Sequence, residues 1–252
     1  MTNLITRRAT LLGIGGSGLM LSGCEKISQI PGFRGMLESA EHLSRGGQRL
    51  VLTSSRPLAR EYQRSDITRN FKANGTVRPQ TAEYQRLLMA EFGDWKLKID
   101  GLVENPFDLS LQEIKALPSR TQITRHDCVE GWSAIGEWTG VPLSNLLQTA
   151  QLKPNARYIV FHCADELLNS LYYESIDLID AFHPQTIMAY QMNGQTLPVP
   201  HGAPLRLRVE RQLGYKMAKY VMRIEAVESF GHLGRGRGGL WEDLGYEWYA
   251  GI

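Results

Sequence analysis

Cysteine, long apolar runs and a surplus of charge of either sign are all scarce in this chain. Three cysteines among 252 residues, with no Cys-x-x-Cys-His segment, exclude a covalently attached c-type haem and leave no four-cysteine iron–sulfur set. The formal net charge is only +2, so no broad basic field exists to hold nucleic acid, and an anionic ligand must be gripped by locally placed Arg and Lys. No internal repeat is visible, and the short Arg235-Gly236-Arg237-Gly238-Gly239 run reads as a loop.

Acidic residues are missing altogether from the first 23 positions, where Thr6-Arg7-Arg8-Ala9-Thr10-Leu11-Leu12 precedes an apolar, glycine-rich stretch. This is a twin-arginine export pattern over residues 1–23, and the stretch is short for a membrane span. Leu21-Ser22-Gly23-Cys24 resembles a bacterial lipobox, which would make Cys24 a lipid attachment point on the membrane; an uncleaved N-terminal anchor is the alternative. Either way the remainder is expected outside the cytoplasm, in the periplasm. Cleavage takes Arg7 and Arg8 from the 28 basic residues and leaves 26 against 26 acidic ones, a mature net charge of zero.

Residues 24–80 are polar and broken by Gly46-Gly47, Arg56-Pro57 and Asn74-Gly75, so they read as a tether and an arm wrapped on a core. Residues 81–252 read as one domain. Trp95, Leu97 and Ile99 alternate with Lys96, Lys98 and Asp100, a strand period that ends at Gly101. Ser110-Leu111-Gln112-Glu113 has capping-box spacing before a short helix that Pro118 stops. Further strands are expected at residues 121–127, 158–163, 188–192, 205–209 and 220–227, with short helices at 142–148 and 176–181. Asn193-Gly194 between two apolar stretches predicts a two-residue hairpin turn. The fold class is therefore α+β, dominated by strands in a single domain with an extended N-terminal arm.

Cys128 and Cys163 face an oxidising compartment, and three readings are open. They pair as a disulfide, they join His126 and His162 in a zinc site, or Cys128 alone offers a soft thiolate to a transition metal whose other ligands come from an organic cofactor. A second cluster bears on the third reading. In His201-Gly202-Ala203-Pro204-Leu205-Arg206-Leu207-Arg208, the two arginines alternate with apolar neighbours and so share one strand face. Guanidinium groups bond two phosphate oxygens at once, His201 can donate to an anion, and Lys219 adds a point charge. A solvated edge strand is the plain alternative for this segment.

Cys128-Val129-Glu130-Gly131-Trp132-Ser133 followed by Trp138-Thr139-Gly140-Val141-Pro142-Leu143 resembles the cysteine segment of the sulfite oxidase superfamily, nearest its bacterial methionine-sulfoxide reductase branch. Residues 188–206 are similar to the superfamily stretch that runs from a strand through Met-Asn-Gly to His-Gly-x-Pro-x-Arg. Both blocks occur in the family order, and the resemblance covers about residues 68–230. It implies the strand-rich fold of that superfamily and a molybdenum centre held by molybdopterin, with Cys128 as the protein ligand to the metal. It also implies that His201, Arg206, Met217, Ala218 and Lys219 hold the pterin and its phosphate. Cys163 and Asp165 fall near family cofactor contacts, and Phe71, Lys72, Asn74 and Gly75 sit where the family arm reaches the cofactor. Tyr172 matches an active-site tyrosine, with Tyr173 and Glu174 beside it; Tyr172 or His126 is a candidate hydrogen-bond or proton partner at the metal.

Sulfite oxidases follow the cysteine with Ala-Gly-Asn-Arg and carry an Arg in the arm, whereas this chain has Val129-Glu130-Gly131-Trp132 and Ala73 at those places. Fewer cations and an added carboxylate disfavour a dianionic substrate; Glu130 capping a turn away from the metal is the alternative. The expected activity is oxygen-atom transfer on a small substrate, as sulfoxide or N-oxide reduction ahead of sulfite oxidation. A non-redox lipoprotein binding module is the reading from a different class. With no electron-carrying motif in the chain, a separate membrane or c-type cytochrome partner is expected.

Overall fold

The computed structural model describes residues 58–252; the twin-arginine segment, Cys24 and the tether as far as residue 57 lie outside the described residues. Among the described residues, ten strands form two sheets. The first has the order β2 (Phe107–Ser110), β1 (Lys96–Gly101), β10 (Val221–Val227), β5 (Tyr158–Leu167) and β6 (Ser170–Asp177). The second has the order β3 (Arg120–Asp127), β4 (Ser133–Pro142), β7 (Ile187–Met192) and β8 (Gln195–Thr196), with β9 (Arg206–Arg208) also paired to β7. Among the described residues only β1 and β10 run parallel; every other ladder is antiparallel.

Alternation produces the expected first strand, since Leu97 and Ile99 are buried while Lys96 and Lys98 face out. They join Ile114, Leu146, Phe161 and Ile224 in the main core. Full burial of each such side chain contributes about 1.5–3 kcal/mol. Helix α1 (Ala82–Met89) caps one side through Tyr84 and Leu87. Helix α2 (Leu111–Ala116) has its capping box formed in both directions between Ser110 and Glu113. Asn193 and Gly194 take φ of 52° and 75°, the left-handed pair that a tight hairpin requires.

Four expectations change. β4 and β6 were not legible as strands, because both are buried on both faces and so lose the period-2 signal. The helix expected from residue 176 begins later, as α4 (Leu178–Ala181): Ile176 pairs with Ile159 in the sheet, and Asp177 caps the helix by accepting from the Asp180 amide. The helix expected from residue 142 is α3 (Leu143–Ala150). The solvated part of the edge-strand alternative fails: β9 pairs with β7 alone, yet Arg206 and Arg208 are buried, at 4% and 0% exposure.

Glycine is required where β4 approaches β7. A Cβ at Gly140 would fall 2.2 Å from the Met188 carbonyl oxygen, where β4 bulges against β7. The arm crosses the second sheet: the Tyr62 amide donates to the Ile123 carbonyl at 2.9 Å, and the Thr68 amide to the Ile135 carbonyl at 3.0 Å. These bonds deliver residues 71–76 to the ends of β3 and β9.

Candidate active site

Where β3 ends, the chain turns tightly through Cys128. The Gly131 amide donates to the Cys128 carbonyl at 2.9 Å, the Cys128 amide to Trp132 at 2.9 Å, and Gly131 takes φ of 85°. The turn leaves the Cys128 thiol on the wall of a cleft with about 900 Å³ of space not filled by atoms, open solvent at its mouth included. Cys128 and Cys163 are both free, which removes the disulfide reading. The zinc reading also fails: among the described residues no group of three His, Cys, Asp or Glu can hold a metal ion, and His162 pairs with Glu225 at 2.8 Å. Cys163 lies outside the cleft lining, its thiol pushed well above the ordinary range by burial and then by Asp165.

The arm forms the facing wall. Asn74 Nδ2 reaches Cys128 Sγ at 3.5 Å, and Phe71 lies edge-on to both Trp138 and His201 with ring centroids 5.6 Å apart. Lys72 and Gly75 complete this side. The ammonium of Lys219 pins the arm by donating to the carbonyls of Asn74 at 2.8 Å, of Thr76, and of Pro200 at 3.2 Å. β9 supplies the floor. Arg206 donates to the carbonyls of His201 at 2.9 Å and Met217 at 3.5 Å, while its buried Nε has no partner. The Arg206 and Arg208 guanidiniums both lie over the Trp138 ring, at 4.8 and 4.4 Å, as side chains two apart on one strand face must.

Electrostatically the floor is crowded with proton-binding groups. Burial first, then Arg206, lowers His201 to about 4 and Lys219 to about 7. Arg206 falls to about 9 through burial and the neighbouring Arg208. Asp165, carried into the lining where β5 loses register with β6 after His162, is pushed up to about 6 by burial, and its Oδ1 has no partner. Near neutrality His201 is an uncharged donor, while the Arg206 guanidinium and the Lys219 amine share the lining with one carboxyl, Asp165. The donor set therefore fits a buried anion such as a phosphate, with a soft thiolate position at Cys128 across the cleft.

His126 sits at the lining between Phe71 and Trp132. Burial and the nearby cations hold it well below its usual range, and Arg208 Nη1 donates to its Nδ1 at 3.1 Å, so it is a neutral ring with its proton on Nε2. Tyr172 lines the cleft and donates to the Tyr215 carbonyl at 2.7 Å; burial keeps its phenol protonated. Met217 is in the lining, whereas Ala218 is outside it, its carbonyl accepting from the Leu207 amide. At the rim, Glu130 accepts from Trp132 Nε1 at 3.0 Å and from Lys72 at 3.2 Å, which lowers its carboxyl and neutralises both charges there.

Sequence reasoning missed Tyr215, Trp241 and Tyr246, which also line the cleft. No local period points to them. It also missed a buried cluster behind Tyr172 in which Lys216 pairs with both Glu174 and Glu242. Glu174, in β6 beside Tyr173, belongs to that cluster and is fully buried.

Residues 85–230 match the family described as oxidoreductase molybdopterin binding domain. A putative protein-methionine-sulfoxide reductase subunit, YedZ1 of Azospira oryzae, is 41% identical over 194 residues, covering 77% of this chain and 68% of that protein. The protein-methionine-sulfoxide reductase catalytic subunit MsrP of Xanthomonas axonopodis pv. citri is 34% identical over 176 residues. That match takes in 65% of this chain and 54% of the MsrP, so the chain spans about half that relative's length. The crystal structure of the sulfane dehydrogenase SoxCD from Paracoccus pantotrophus overlaps 54% of this chain and 39% of its own at 26% identity, with a TM-score of 0.49.

Proposed function

Since this chain belongs to the molybdopterin-binding oxidoreductase family, whose cofactor is molybdenum bound by molybdopterin, we propose that it reduces a sulfoxide to the thioether, consuming two electrons and two protons and releasing water. The observation that carries the reading is a free thiol, Cys128, in the same cleft as three anion-binding donors, Arg206, Lys219 and the neutral ring of His201. When bound, the cofactor supplies oxygen-atom exchange coupled to a two-electron change. Cys128 is the residue that would ligate its metal, and Arg206, Lys219 and His201 those that would hold its phosphate. Phe71, Asn74 and Gly75 of the arm and Met217 line the same cleft and are the further residues that would contact it.

The chain's own groups then set the proton inventory. His126 is neutral and offers only its Nε2 hydrogen, and the Tyr172 proton is spent on the Tyr215 carbonyl. Asp165, held at about 6, is the lining carboxyl able to carry a proton near neutrality. The rim favours a neutral substrate over sulfite, because Lys72 already answers Glu130 and leaves no surplus positive charge there for a dianion.

Two relatives carry names that call them subunits of a reductase, which supports electron delivery by a separate protein, membrane-bound or a c-type cytochrome. Twin-arginine export to the periplasm and a lipid on Cys24 complete the proposal and rest on residues 6–24. The test is holoprotein made through its own export route, assayed for molybdenum and for sulfoxide reduction with a reduced viologen dye. Stoichiometric molybdenum with turnover is expected. Metal-free protein would point to a binding module, and sulfite oxidation without sulfoxide turnover would reverse the substrate assignment.

A further inference from the structure

Residues beyond 230 lie past the matched family region, yet they build a wall of the cleft. Helix α5 (Leu240–Asp243) sets Trp241 at the lining, and the turn after it returns Tyr246 to the same place, with the Tyr246 amide donating to the Trp241 carbonyl at 3.0 Å. The Trp241 and Tyr246 ring centroids are 5.2 Å apart, and Tyr246 meets Tyr215 edge-on, also at 5.2 Å. Three aromatic rings from two distant segments thus make one continuous face.

That face is held from behind by polar contacts. Lys216, next to Tyr215, pairs with Glu242, next to Trp241, in full burial. The Tyr215 hydroxyl donates to the Glu247 carbonyl at 2.6 Å, and Asp243 accepts from the Tyr173 hydroxyl at 2.6 Å and the Arg235 amide at 2.9 Å. The Leu213 amide donates to the Ala250 carbonyl at 2.9 Å. Apolar wall residues fixed by buried polar groups form a preformed surface, and Tyr246 keeps 37% of its surface exposed at the mouth.

Aromatic faces carry negative potential. They attract the electron-poor sulfur and polarised alkyl hydrogens of a sulfoxide, retain a thioether through sulfur–aromatic contact, and repel a dianion. We propose that Trp241, Tyr246 and Tyr215 form the specificity-determining subsite that receives the alkyl chain on sulfur, as in a methionine sulfoxide side chain. The proposal rests on the sulfoxide-reductase reading above.

The test compares molybdenum-loaded wild-type protein with Tyr246→Ala, Trp241→Ala and Trp241→Phe, using N-acetylmethionine sulfoxide amide and dimethyl sulfoxide. Each alanine variant is expected to raise KM for the larger sulfoxide, so that its kcat/KM relative to dimethyl sulfoxide falls roughly tenfold, equivalent to about 1.4 kcal/mol and near the upper end of a sulfur–aromatic contact. Trp241→Phe keeps a ring and is expected to recover most of the preference. An unchanged ratio in a fully loaded Tyr246→Ala variant would overturn the proposal, as would loss of molybdenum from every variant, which would make the wall a support for the cofactor. Failure of the wild type on both sulfoxides sinks the functional reading itself and the subsite with it.

Discussion

Arg208 has its guanidinium buried at 0% exposure between Trp138, His126 Nδ1 and the Glu210 carboxylate, to which Nη2 donates at 2.6 Å. Removing one partner of such a pair strands the other charge in a low-dielectric interior. Arg208→Met is therefore expected to lower unfolding free energy by about 3–5 kcal/mol, readable as a reduced urea midpoint. Cys128→Ser is expected to reduce turnover by more than the roughly 10–100-fold typical of losing an outer-shell contact at a metal, measured alongside molybdenum content. Retained turnover at full loading would remove Cys128 from the centre. At this scale the sequence was legible where a residue's chemistry is rare: a cysteine after a strand and two arginines two apart. It was not legible for Trp241 and Tyr246, whose position follows from a fold-back that brings residue 215 to residue 246.

Among the elements, β4 shows how packing overrides local pattern. Trp138, Val141 and Gly140 were visible as a motif without announcing a strand, because burial on both faces erases alternation. Gly140 allows β7 to approach, and Gly140→Ala would drive a Cβ into the Met188 carbonyl. A loss of roughly 1–3 kcal/mol or outright misfolding is expected, checked by circular dichroism and urea unfolding. A gentler test concerns α2, where Ser110→Ala removes the acceptor of the Glu113 amide and is expected to cost about 1 kcal/mol. The hairpin at Asn193-Gly194 and this cap were both readable because their geometry depends on nearest neighbours alone.

On the scale of the whole molecule, the arm, the turn after β3, β9 and the C-terminal segment converge on one cleft that gathers the buried nitrogen donors of His201, Arg206 and Lys219. Lys219 falls from 10.5 to about 7 and His201 from 6.5 to about 4, so each holds its proton less tightly than it would in water. A bound phosphate reverses this by favouring the charged forms, so loading takes up protons. Cofactor retention is expected to be strongest below about pH 7 and to weaken as pH rises through the Lys219 value, measured as molybdenum kept after dialysis across about pH 6–9. Retention that strengthens with rising pH would contradict the assignment of Lys219 to the anion. The sequence alone determined the class of fold, the exposed-and-buried rhythm of β1, the hairpin, the capped helix and the chemistry on offer at Cys128 and β9, since these depend on residue type and short spacing. Only the tertiary structure decided that Cys128 and Cys163 stay apart, that both arginines are buried against Trp138, and that an aromatic wall lines the same cleft as the thiol. Those outcomes depend on which distant segments pack together, and no local period encodes that.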